Sequence, residues 1–64
     1  MDQLNLLTVP EVAALLKLSR SKTYALIEEG VLPAIHIDRS VRVLAADLAA
    51  WIESRRDYAN GKEV

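Results

Sequence analysis

The sequence predicts a mainly α-helical domain: three helices, with one small β-hairpin between the second and the third. Three observations predict it. Apolar residues recur at helical spacing in three stretches, the period drops to two between Ala34 and Val43, and capping or turn residues stand at the joints.

Thr8-Val9-Pro10-Glu11 reads as the first helix start. Thr8 can cap, Glu11 lies three residues on as in a capping box, and Pro10 suits the first turn. Val9, Val12, Ala13 and Leu16 then follow at i, i+3, i+4, i+7. Leu6 and Leu7 precede the cap and are expected to fold back on the helix as a hydrophobic staple. The helix ends by Lys17-Leu18, because Ser19 is the next capping residue. A second helix runs from Ser19 to about Glu29, with Tyr24 and Ile27 marking its buried side. Gly30 closes it, since glycine takes the left-handed cap conformation readily. Two helices joined by a turn of about three residues form a helix-turn-helix.

Past Val31-Leu32-Pro33, Ile35 and Ile37 alternate with Ala34 and His36, and Val41 and Val43 alternate with Arg42. With Asp38-Arg39-Ser40 as the turn, this predicts a hairpin whose isoleucines and valines share the core face and whose His36 points outward. Leu44, Leu48, Trp51 and Ile52 return to helical spacing and predict a third helix to about Arg56, with Asp47 in its first turn. The domain is thus expected over residues 1–56, with a polar tail over 57–64 that contains Asn60-Gly61 and is expected to fray.

Sixty-four residues allow one domain. A chain of this size buries only about 60% of its unfolded surface. That leaves no room for a deep cleft and argues against an enzyme. No catalytic constellation is found, since Glu28 and Glu29 are adjacent and diverge on a helix. Without cysteine, disulfides and thiolate zinc sites are excluded, and the lone His36 makes a metal site unexpected. No apolar run approaches the ~20 residues of a membrane span. Met1-Asp2-Gln3 lacks the basic start of a secretion signal. The net charge of −1 is unlike a strongly basic nucleic-acid binder, but its distribution is uneven. Lys17, Arg20 and Lys22 stand in a stretch with no acid, and Arg39 and Arg42 follow in the hairpin.

The order of helix, turn, helix, Gly, Leu-Pro, hairpin, Arg-hydrophobic and a helix with Trp resembles the excisionase and MerR-like winged helix-turn-helix family of bacteria and phages. The matching stretches are Leu7–Ala13, Leu18–Ser21, Tyr24–Ile27, Gly30–Ala34, Arg39–Val43 and Asp47–Ile52. The resemblance implies a winged helix-turn-helix that binds double-stranded DNA, with the second helix in the major groove and the hairpin as a wing on phosphate or the minor groove. Its groove-facing positions would be Ser19, Arg20, Ser21, Lys22, Thr23 and Tyr24, and its wing positions Arg39, Ser40 and Arg42. Tyr24 would also place its ring in the core. The chain departs from the family where Asp38 replaces a frequent Gly, where Ala25 replaces a frequent base, and where Leu44-Ala45-Ala46 lacks a Pro and a polar cap. The resemblance further implies a bacterial or phage-encoded, cytoplasmic, nucleoid-associated protein with no cofactor and no small-molecule ligand. The expected role is an excisionase, several copies of which bind and bend DNA to assist an integrase. The alternatives are a small transcriptional regulator of the same fold, or a protein-interaction module that has lost DNA binding.

Overall fold

The structure, a computed structural model, describes residues 5–57. Among these residues the chain forms β1 (Leu6–Thr8), α1 (Val9–Leu16), α2 (Arg20–Glu28), β2 (Ile35–Ile37), β3 (Ser40–Leu44) and α3 (Ala45–Ser54). The strands pair antiparallel in the order β1-β3-β2. This is a winged helix-turn-helix, with β2 and β3 as the wing.

Both ends of α1 follow from local chemistry. The Thr8 hydroxyl accepts from the Glu11 amide at 3.2 Å, and Glu11 Oε1 accepts from the Thr8 amide at 2.8 Å, completing the capping box. At the other end Lys17 adopts φ 60, ψ 39, a left-handed conformation usually given to glycine. The Leu18 amide then reaches the Ala13 carbonyl (2.9 Å) and the Lys17 amide reaches Ala14 (3.2 Å), the pair of bonds of a Schellman motif. The same motif ends α2: Gly30 (φ 75) donates to Ile27 and Val31 donates to Leu26.

The sheet differs from the expected hairpin in two ways. Leu6 and Leu7 form a strand, β1, which pairs with β3 as Leu6↔Leu44, Leu7↔Val43 and Thr8↔Arg42, and of the two only Leu7 packs against the core that holds Val12, as a staple would, while Leu6 is exposed. The wing turn is also one residue shorter than expected. Ser40 belongs to β3 and pairs with Ile37, leaving only Asp38-Arg39 in the loop. A one-residue change of register turns every side chain of a strand to the other face. Ile35 and Ile37 therefore lie opposite Arg42 and Ser40, on the face away from Val43, and Ile37 is 49% exposed. His36 pairs with Val41 and shares the face of Val43, although it remains exposed at the sheet edge.

Val12, Leu32, Val43 and Leu48 form the buried centre, with Leu7, Leu16, Leu26, Ile27, Ala34 and Trp51 packed around it. Trp51 Nε1 donates to the Val31 carbonyl at 2.8 Å, tying α3 to the segment that leaves α2. The Arg55 guanidinium lies 4.7 Å over the indole ring. Helix α3 ends at Ser54, two residues short of the expected end. Leu44 caps it without a side-chain bond, and the Asn5 carbonyl takes the Ala45 amide at 2.8 Å instead. Ile52, expected on the core side, is 42% exposed.

Candidate nucleic-acid interface

Helix α2 is held from behind and open in front. Ser19 caps it, its hydroxyl accepting from the Lys22 amide at 3.0 Å. The Thr23 amide and the Thr23 hydroxyl both donate to the Ser19 carbonyl, at 3.1 and 2.9 Å. The amides of Arg20 and Ser21 then have no intrahelical acceptor and point out of the helix start.

Thr23 leaves the set of groove-facing positions expected from sequence. It is fully buried, and with half-buried Leu26 and Ile27 it forms the inner face of α2. Tyr24 stays on the outer side with the expected set, but without the core packing expected of it. The residue is 46% exposed rather than enclosed between the first two helices. The signal lay in the spacing: Thr23, Leu26 and Ile27 stand four, seven and eight residues after the cap, one stripe of a helix. Stepping about 100° per residue, the side opposite this stripe carries Ser21, Ala25 and Glu28 in one line. Arg20 and Tyr24 flank that line on one side, and Lys22 and Glu29 on the other. Ser19, Arg20, Ser21, Lys22, Tyr24 and Glu28 are all exposed. The Ser19 hydroxyl keeps a proton to donate outward while it accepts from Lys22.

On the wing, Arg39 sits in the two-residue loop and Ser40 opens β3, both exposed. Arg42, in the central strand, is half-buried, and its Nη1 donates to the Val41 carbonyl at 2.9 Å. Ser40 and Arg42 share one sheet face, with Arg39 at the tip. Asp38 takes φ 54, so the loop needs a left-handed residue at its first position.

The charges of α2 run against its own dipole. An acid near a helix N-terminus and a base near its C-terminus each stabilise by about 0.3–1 kcal/mol. Helices α1 and α3 follow that rule at their starts, with Glu11 and Asp47. Helix α2 has no acid in its first turn and no base in its last. It carries Arg20 and Lys22 at the start and Glu28 and Glu29 at the end. The arrangement costs helix stability and concentrates positive potential where the outward amides already lie, a setting that attracts anions.

Comparison with known proteins identifies the family of the chain. Residues 6–56 match the family described as a helix-turn-helix domain. The chain is 45% identical over 49 residues to "Putative DNA-binding protein Rv0500A" of Mycobacterium tuberculosis, which covers 77% of this chain and 63% of that protein. It is 41% identical over 56 residues to "Uncharacterized protein YvgK" of Bacillus subtilis, which covers 88% of this chain but 18% of that one. The chain thus spans less than two thirds of the length of these relatives. No solved structure matches it.

Proposed function

The chain belongs to the helix-turn-helix domain family, and from that premise we propose that it is a sequence-specific double-stranded DNA-binding protein. Helix α2 enters the major groove. Arg20 and Lys22 reach the phosphates beside it, Ser19 and the outward amides bond a phosphate at the helix start, and Arg39, Ser40 and Arg42 of the wing lie along the backbone or the minor groove. The observation that carries this reading is the pair of cations, Arg20 and Lys22, at the start of α2, where the helix dipole disfavours them and an anionic partner offsets that cost. The name of the mycobacterial relative, a "Putative DNA-binding protein", supports it.

Within this reading the role is that of an excisionase. Several copies bind adjacent repeats, contact one another, bend the DNA and help an integrase assemble. That role rests on the resemblance of the whole motif order to the excisionase and MerR-like group. A single domain with five candidate phosphate-binding cations (Lys17, Arg20, Lys22, Arg39 and Arg42) binds alone only weakly, and neighbour contacts supply the rest. Selection from a random duplex pool tests both levels. Enrichment of spaced direct repeats fits the excisionase. One isolated site moves the role to a transcriptional regulator. No enrichment and no binding leaves the protein-interaction module.

A further inference from the structure

We infer that Glu28 is a specificity-determining residue, and that the line Ser21–Ala25–Glu28 reads a thymine-and-cytosine pattern on the groove floor. The inference rests on the DNA-binding reading above and adds to it what is read and by which atoms.

The inner face of α2 is fixed by Thr23, Leu26 and Ile27, so the opposite line is fixed too. At 1.5 Å per residue, Ser21 to Glu28 spans about 10 Å, or about three base-pair steps. The long cations stand on the flanks, where the phosphate walls of the groove would be, and the centre is left to a hydroxyl, a methyl group and a carboxylate. Glu28 is exposed, and no ion pair or hydrogen bond holds its side chain among the described residues.

An ionised carboxylate only accepts hydrogen bonds. In the major groove, guanine offers two acceptors and thymine one, so Glu28 is repelled there. Adenine offers its amino group beside the N7 acceptor, which suits an amide better than a carboxylate. Cytosine offers the N4 amino group and no acceptor of its own on that edge, the nearest being O6 of its paired guanine. The Ala25 methyl group fits against a thymine methyl, and the Ser21 hydroxyl accepts either a donor or an acceptor and discriminates little. Glu28 therefore acts largely by exclusion: close to phosphate its charge is unfavourable, and only the right base offsets that.

The test is selection and sequencing of bound duplexes with the parent protein, Glu28→Ala and Glu29→Ala. Glu29 carries the same charge one residue on and lies on a flank. We expect the parent motif to contain a cytosine preferred about 5- to 150-fold, the discrimination typical of one mismatched base pair in a site. Glu28→Ala should lose the preference at that position alone and bind random DNA more tightly. Glu29→Ala should bind random DNA more tightly and keep the motif. A motif unchanged by Glu28→Ala, or relaxed equally by Glu29→Ala, overturns the inference while leaving DNA binding intact. Failure of the parent to bind any duplex overturns the DNA-binding reading and this inference with it. Both variants remove an acid from the C-terminal end of α2, where the dipole disfavours it, so neither is expected to unfold the domain.

Discussion

Lys22→Glu is expected to make the protein more stable and to weaken its DNA binding tenfold or more. Thr8 and Glu11 show what a complete capping box looks like in this fold: the acid three residues after the cap takes the cap amide at 2.8 Å. Ser19 caps α2 in the same way, at 3.0 Å, but Lys22 occupies the position where the box needs an acid. A glutamate there can close the box on the Ser19 amide. An exposed hydrogen bond of this kind adds about 0.5 kcal/mol, the low end of the usual range. Exchanging a base for an acid in the first turn adds about 0.3–1 kcal/mol. The sum is about 1 kcal/mol, which raises the melting temperature by about 4–8 °C in a domain of this size. Thermal unfolding followed by circular dichroism reads it. Fluorescence anisotropy on a duplex should show affinity reduced tenfold or more, because one phosphate contact is replaced by repulsion. A variant less stable than the parent would refute the dipole argument. One that is more stable yet binds DNA with parental affinity would refute the assignment of α2 as the DNA-contacting helix.

Three further variants probe the same account. Gly30→Ala should cost about 1 kcal/mol in urea unfolding. A left-handed alanine is penalised by about 1–2 kcal/mol, the unfolded chain returns part of it, and an added Cβ meets nothing within 4 Å; a neutral result would show that φ 75 is not required. Thr23→Val should leave DNA affinity at the parental value and stability within about 0.5 kcal/mol, since the Ser19 carbonyl keeps the Thr23 amide. A several-fold loss of affinity would return Thr23 to the interface. Asp38→Gly should stabilise the domain by about 0.5–1 kcal/mol by relieving the left-handed loop position, and should tighten DNA binding by removing an acid beside Arg39. Weaker binding at equal salt would contradict the placement of the wing.

What was legible in the sequence was local chemistry. Thr8 with Glu11, Ser19, and Gly30 each announce a helix end through a bond formed within four residues, and the structure has all three ends. Lys17 closes α1 with the same geometry as Gly30 closes α2, but a lysine carries no sign of it. The errors lay where distant segments decide. Leu6-Leu7-Thr8 is too short to show a period, and only its pairing with β3 makes it a strand. The hairpin register turned on one residue, whether Ser40 belongs to the loop or to β3, and that choice sends the isoleucines outward. Tyr24 drew attention as an aromatic residue of good helical spacing, while the smaller Thr23 fills the space behind α2. For the candidate site, the cations were legible as types in a charge pattern. That they oppose the dipole of α2 follows from the ends that Ser19 and Gly30 already mark, so it too was legible in the sequence.

The central claim is that α2 and the wing bind duplex DNA through their cations, and a salt titration tests it most directly. Anisotropy of a labelled duplex is measured from low to physiological salt for the parent protein, for Arg20→Ala/Lys22→Ala and for Arg39→Ala/Arg42→Ala. If Lys17, Arg20, Lys22, Arg39 and Arg42 each neutralise one phosphate, log affinity falls against log salt with a slope of about −4.5, and each double variant flattens it by about 1.8. No binding by the parent at about 100 µM protein in low salt, weaker than ordinary nonspecific affinity, would contradict the account. So would binding whose salt slope neither double variant changes.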